Sequence, residues 1–248
     1  MLMTREWQIN YEKAWTPLPG GDQCLELRRE DAARFFHIFF WAHMSEQKGP
    51  RPEYRGVPIH KNPCDLFNYQ QIIFSQEPDW IIECGAFQGG ATLFFANQLD
   101  LIGKGRVISV DICEREGVWH EKVRSHPRVT CLAGSSTDPA IVAQVHELVG
   151  ESRNSFIILD SLHTKVHVLD ELAAYSDLAG PGNYLIVEDS NLNGHPLPPV
   201  WHPHTAAEGG PFEAVAEFLK TRHDFRVDQP MEDRFLFSFA PSGYLVKK

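Results

Sequence analysis

From Trp80 onward, five short apolar runs recur, most of them ended by a small or acidic residue: Trp80–Cys84, Arg106–Asp111, Val129–Ala133, Ser155–Asp160 and Tyr184–Val187. Continuous runs of this length, without polar alternation, are the pattern of strands buried on both faces. Between them lie stretches of helical composition at Ala91–Leu99, Pro139–Val149 and Val166–Leu178. Strands alternating with helices imply βαβ units and a parallel sheet. After a Pro- and Gly-rich loop, Gly194–Pro211, a helix is expected over Pro211–Lys220, opening on its proline. Phe225–Val227 and Phe235–Phe239 then read as antiparallel neighbours at one sheet edge. Ahead of the first strand the pattern is less regular. Arg28–Ser45 carries Phe35, Ile38, Phe39 and Ala42 at helical spacing, Gly49–Pro63 reads as a long loop, and Leu66–Ser75 as a second helix. The expected organisation is a helical N-terminal extension over 1–79, covering the sheet or its ligand cleft, and an α/β core over 80–248.

The 248 residues suit one domain with a full core. The net charge of −10, with Lys and Arg gathered nowhere, argues against nucleic acid or an anionic membrane surface as partner. The longest apolar run near the start, Phe35–Trp41, is broken by His37 and is far shorter than the ~20 residues of a membrane span. Cys24, Cys64, Cys84, Cys113 and Cys131 are odd in number and lack close-pair spacing. That fits reduced thiols and a cytoplasmic protein.

The first strand runs into Glu83-Cys84-Gly85-Ala86-Phe87-Gln88-Gly89-Gly90. Ligands of open α/β sheets sit at such strand ends, and glycine lets backbone approach them. Phe87 stands where a dinucleotide fingerprint needs its second glycine, and no Gly-Lys-Ser/Thr follows as in a phosphate loop. An acid two residues before the glycine suits a cationic ligand better than a diphosphate. The second strand ends in Asp111, a carboxylate able to accept both hydroxyl protons of a ribose. The third runs into Gly134-Ser135-Ser136-Thr137-Asp138, small hydrogen-bonding groups placed for an adenine edge, although Asp138 could simply cap the helix at Pro139. Together the three strand ends fit S-adenosylmethionine.

Asp160 closes the fourth strand and Glu188-Asp189 the fifth. If those strands are neighbours, three carboxylates crowd one point. Protonation or a cation must offset a repulsion of about 4 kcal/mol per pair at ~4 Å. Oxygen ligands without thiolate favour Mg²⁺, then Mn²⁺ or Ca²⁺, unless one acid points away. His163 follows within reach of that end and is a candidate general base. His167, one helical turn on, is expected on the helix surface. The loop beyond the acidic pair offers His195 and Trp201 as substrate contacts, with Trp201 able to stack on a sugar face.

With these residues in order, the chain resembles the cephalosporin hydroxylase family, whose members include rhamnosyl and mannosyl O-methyltransferases. The resemblance rests on Lys61-Asn-Pro63-Cys-Asp65-Leu66 with Tyr69-Gln70, Ile82-Glu83-Cys-Gly85 with Gly89-Gly90, and Asp111. It continues through Gly134-Ser135-Ser136 with Asp138, Asp160-Ser-Leu-His163 with His167, Val187-Glu188-Asp189 with Asn191 and Asn193-Gly194-His195, and Pro241-Ser-Gly243-Tyr244-Leu245. Cys84 and Gln71 depart from the family pattern. The resemblance implies a Rossmann-like class I methyltransferase fold, a seven-stranded, mostly parallel sheet with helices on both faces. It implies S-adenosylmethionine at Glu83, Gly85, Asp111 and Ser135–Ser136, with Lys61, Gln88, Gly89 and Asp138 as further cofactor contacts. Mg²⁺ would sit at Asp160, Glu188 and Asp189, with His163 and Asp160 as the catalytic residues. The expected function is metal-dependent O-methylation of a sugar or glycoside, by a homo-oligomer. Alternatives are a small aromatic acceptor, a non-catalytic cofactor-binding partner in antibiotic tailoring, or a nicotinamide-dependent oxidoreductase, which Phe87 disfavours.

Overall fold

The computed structural model describes residues 52–112, 118–192, 209–235 and 237–248. A short hairpin, β1 (Glu53–Tyr54) and β2 (Val57–Pro58), precedes α1 (Pro63–Gln76). Then come β3 (Trp80–Cys84), α2 (Gly90–Ile102), β4 (Arg106–Asp111), α3 (Glu121–Arg124), β5 (Val129–Ala133), α4 (Pro139–Val149), β6 (Ser155–Leu159), α5 (Lys165–Tyr175) and β7 (Tyr184–Val187). The chain closes with α6 (Pro211–Phe218), β8 (Phe225–Val227), α7 (Gln229–Asp233) and β9 (Tyr244–Lys247). The main sheet has seven strands in the order β5-β4-β3-β6-β7-β9-β8. β9 alone runs antiparallel to its neighbours.

The unbroken apolar runs are explained by the two faces of this sheet. Ile82, Ile108, Ile157 and Val187 pack on one side against Val145 of α4, Leu172 of α5 and Val215 of α6. The residues one position earlier, Ile81, Val107, Phe156 and Ile186, pack on the other against Tyr69 and Ile72 of α1 and Phe95 of α2. Helix α1 is thus a structural layer of the core. It starts where Asn62 accepts a hydrogen bond from the Cys64 amide, with Pro63 next, and ends at Glu77 in the left-handed region.

Three expectations need correcting. Of the stretch expected as a strand over Phe235–Phe239, the described residues 237–239 form none; β8 pairs instead with Tyr244–Lys247. The buried Asp65 carboxylate, which accepts from the Ser238 hydroxyl (2.7 Å) and the Phe239 amide (2.8 Å), draws that segment onto α1. The Gly49–Pro63 loop contains the β1–β2 hairpin, and α3 and α7 were not foreseen. The fourth strand ends at Leu159, one residue early: the Asp160 amide closes the ladder on the Cys84 carbonyl at 2.8 Å, and Gly85, at a positive φ, takes β3 no further. The helix expected over Arg28–Ser45 lies outside the described residues. Among the described residues no helix is long and apolar enough to cross a membrane.

Gly85 is where this fold depends on a missing side chain. Its φ is +91°, and a Cβ there would stand 1.9 Å from the Asp160 carbonyl oxygen. Glycine therefore lets the ends of β3 and β6 close on each other. Gly85→Ala would force backbone atoms apart, so a loss of about 2–4 kcal/mol is expected. A thermal melt should show a fall of several degrees; an unchanged midpoint would contradict this packing.

Candidate active site

The first turn is built by its own acid. Asp111, at the end of β4, accepts the Ala86 and Phe87 amides on Oδ2, each at 2.8 Å. Phe87 takes a positive φ of 53°, and its partly exposed ring stacks on His60 with centroids 4.4 Å apart. Gly89 and Gly90 are small because α3 and the hairpin press on them. Cβ atoms there would meet Val123 at 2.8 Å and the Pro58 carbonyl at 2.3 Å. Gln88 takes the His120 amide on its carbonyl.

Glu83 lies fully buried one residue before Cys84. Its Oε2 accepts from Thr92 and from Ser109 (3.2 Å), and Ser109 accepts the Trp119 indole N–H at 2.9 Å. Its Oε1 has no hydrogen-bond partner among the described residues. Burial pushes the Glu83 carboxyl up to about 7, against the opposing Thr92 hydrogen bond and the charge of Lys61. A buried carboxylate with one orphaned oxygen fits a ligand that brings an ammonium. Across the sheet, Ser135 and Thr137 bond through their hydroxyls at 3.1 Å, the Ser136 hydroxyl donates to Glu171 Oε1 at 2.5 Å, and Asp138 caps α4 through the Ala140 amide.

β6 and β7 are neighbours, with Leu159 opposite Val187, so Asp160 and Glu188 emerge side by side. The acids then diverge. Glu188, 2 % exposed, accepts the Tyr69 hydroxyl at 2.6 Å and the Lys61 ammonium at 2.8 Å. Lys61 also donates to Asp160 Oδ2 at 2.5 Å. Burial alone would drive the Lys61 proton off, but the Asp160 and Glu188 carboxylates outweigh it and hold the ammonium charged, its pKa above the ordinary value. Asp189 takes a left-handed backbone (φ 54°), uncommon for a residue with a side chain, and its Oδ2 sits 3.2 Å from His163 Nε2. Burial, then the charges of Asp160 and Glu188, raise the Asp189 carboxyl well above its usual range. Burial lowers His163 in spite of the adjoining Asp160, which favours the neutral imidazole.

Ligand atoms of Asp160, His163 and Asp189 lie within 4.8 Å of one another. Three carboxylates against the one Lys61 ammonium leave a formal excess of two negative charges. That donor set and that excess fit a divalent cation. The expected trio of acids is brought to one end of the sheet, but Glu188 is engaged by Lys61 and Tyr69, and His163 takes the third place around the gap. Sequence reasoning quoted Lys61 and Tyr69 without seeing that they partner Glu188. Only an unbalanced acidic pair could have signalled it. His167 points inward, not to solvent, reaching Ser161 at 2.9 Å. His195 and Trp201 lie outside the described residues.

A seven-stranded sheet of this order, with one antiparallel strand next to its edge and an acidic, glycine-turned ligand end, defines a class I methyltransferase fold. The family described as rhamnosyl O-methyltransferase/CmcI matches residues 50–248, and the chain belongs to it. The rhamnosyl O-methyltransferase of Mycobacterium tuberculosis (strain H37Rv) is 35% identical over 224 residues, spanning 89% of this chain and 87% of that one. The protein of that name from Mycobacterium leprae is 37% identical over 196 residues, 78% and 82% of the two chains. A solved structure of CmcI with Mg and SAM superposes with a TM-score of 0.58 at 18% identity, covering 94% of this chain and 90% of that one.

Glu83 yields a pH prediction. An acid whose folded pKa is about 7 against an ordinary 4.5 keeps its proton in the folded state where the unfolded chain has lost it. Its contribution to folding therefore falls as pH rises from 4.5 to 7, by roughly 3 kcal/mol at most. Glu83→Gln should flatten the decline of unfolding free energy between pH 5 and 7.5, measured by denaturant titration. Parallel wild-type and variant curves would refute the assignment.

Proposed function

We propose that the chain transfers the methyl group of S-adenosylmethionine to a hydroxyl of a sugar or glycoside of the rhamnoside type, with Mg²⁺ at the acidic end of β6 and β7. The observation that carries the reading is the pairing of two charge patterns at one sheet end. Glu83 offers an orphaned buried oxygen beside the glycine turn, and Asp160, Asp189 and His163 converge with an unbalanced negative charge. Family membership and the names of the mycobacterial relatives support the choice of chemistry and of acceptor.

Asp160 and Asp189 hold the ion, and Glu188, pinned by Lys61 and Tyr69, fixes the ends of β6 and β7 behind them. When bound, the ion lowers the pKa of an acceptor hydroxyl and the cofactor supplies an activated methyl group. Glu83 faces the cofactor's ammonium, and Asp111 takes the ribose hydroxyls on the oxygen that the Ala86 and Phe87 amides leave open. The Gly85 turn and the Ser135–Ser136 turn bracket the adenosine. His163, 3.2 Å from Asp189, would accept the proton of the acceptor hydroxyl as that oxygen takes up the methyl group. The remaining contribution is alignment of the two reactants. His195 and Trp201 are assigned to the sugar. We also read the segment ahead of β3, described from 52 to 79, as the cover of the cleft. The chain is taken to work as a homo-oligomer in a reducing cytoplasm, consistent with free thiols at Cys64 and Cys84.

Asp160→Ala should abolish transfer to a rhamnoside while S-adenosylhomocysteine still binds in calorimetry; loss of both activities in a folded variant would oppose this division of labour. His163→Ala should slow turnover about 10²–10⁴-fold with Mg²⁺ affinity retained. A variant that instead loses Mg²⁺ would make His163 a ligand and not the base.

A further inference from the structure

Helix α5 presents three polar side chains one turn apart, His167, Glu171 and Tyr175, to the turns after β5 and β6. Glu171 is fully buried. Its Oε1 accepts from the Ser136 hydroxyl at 2.5 Å and from the Ser161 hydroxyl at 2.6 Å. His167 Nε2 lies 3.1 Å from Ser136 Oγ and 2.9 Å from Ser161 Oγ. The Tyr175 hydroxyl donates to the Ser136 carbonyl at 2.5 Å. Serine, histidine and glutamate here do not form a nucleophile relay. The carboxylate stands 3.6 Å from Nε2, the same nitrogen that faces the serines, and so does not orient the ring through Nδ1.

Counting protons fixes what the cluster presents. A carboxylate oxygen accepts only, and a serine hydroxyl has one proton and two lone pairs. Both serine protons go to Glu171 Oε1. His167 Nε2 must then carry its own proton and donate it to the serine oxygens. Each serine oxygen is left with a lone pair and no proton to offer. Ser136 is buried, whereas Ser161 keeps partial exposure and sits where Gly85 meets β6, its Cα 2.8 Å from the position of a Gly85 Cβ.

We propose that Glu171 is a positioning residue for the purine of the cofactor: by taking the hydroxyl protons of Ser136 and Ser161 it makes Ser161 an acceptor only, so the site takes a purine bearing a 6-amino group and turns away its 6-oxo analogue. This rests on the adenosyl-cofactor reading above. A 6-amino group donates to Ser161; a 6-oxo group would set two acceptors against each other and leave both unsatisfied. The network thereby ties substrate selection to the turn that carries Asp160.

The test is calorimetric binding of S-adenosylhomocysteine and of its deaminated analogue, S-inosylhomocysteine, to the full chain. The wild type should prefer the adenosyl ligand at least tenfold. Glu171→Leu fills the same volume without an acceptor and frees the serine protons, so the preference should narrow to within about threefold. Ser161→Ala, at a partly exposed turn, should narrow it likewise and decides the matter if the Glu171 variant does not fold. A purely structural role for Glu171 would weaken both ligands equally. Two folded variants that keep the wild-type ratio would therefore overturn the proposal. A wild type that binds neither ligand would sink the cofactor reading and this inference with it.

Discussion

The ammonium of Lys61 between Asp160 and Glu188 is the contact on which the ligand end of this structure depends. It sits just ahead of α1, outside the βα core, yet it reaches the ends of two adjacent central strands. Without it, Glu188 would stand buried with only the Tyr69 hydroxyl to satisfy it. Breaking a buried pair by removing one partner costs about 3–5 kcal/mol. α1 is thus bound to the sheet by an apolar layer through Tyr69 and Ile72 and by a charged anchor at its start. The anchor also sets the charge that remains, an excess at Asp160 and Asp189 that one ammonium does not cancel.

That arrangement divides labour among acids that look alike in sequence. Glu188 faces inward, where its Oε1 accepts from Lys61 and Tyr69. Asp189, one residue on, uses a left-handed backbone to turn toward His163. Asp160 touches both groups, with one oxygen on Lys61 and the other 4.0 Å from His163. The glycine turn after β3 is part of the same construction, since Gly85 lies against the Asp160 carbonyl and Asp111 holds the turn's amides. The glycine turn thereby lies next to the acidic gap, so a methyl donor held at the turn, as proposed, would stand beside the acceptor hydroxyl.

Much of this was legible in the chain. Strands buried on both faces announce themselves as unbroken apolar runs, and β3, β4, β5 and β7 fall where those runs predict. The acids at Asp160 and Glu188-Asp189 follow from strands ending side by side. The tail was misread because Phe235–Phe239 has strand composition, while its pairing is decided by Asp65, about 170 residues away in sequence. Similarly, local spacing put His167 on a helix surface, but Glu171 and two serines from separate turns draw it inward. Lys61 was visible as a motif residue, yet its partner could not be read without the fold. Local patterns report periodicity, whereas long-range polar contacts decide which side chain a carboxylate finds.

The gap between Asp160 and Asp189 is proposed to hold a divalent ion that serves methyl transfer. Electron paramagnetic resonance of Mn²⁺ titrated into the purified protein tests it directly. The account predicts one bound ion per chain, displaced by Mg²⁺ and lost in a folded Asp189→Ala variant. Absence of bound Mn²⁺, or uptake unchanged by that substitution, would contradict it.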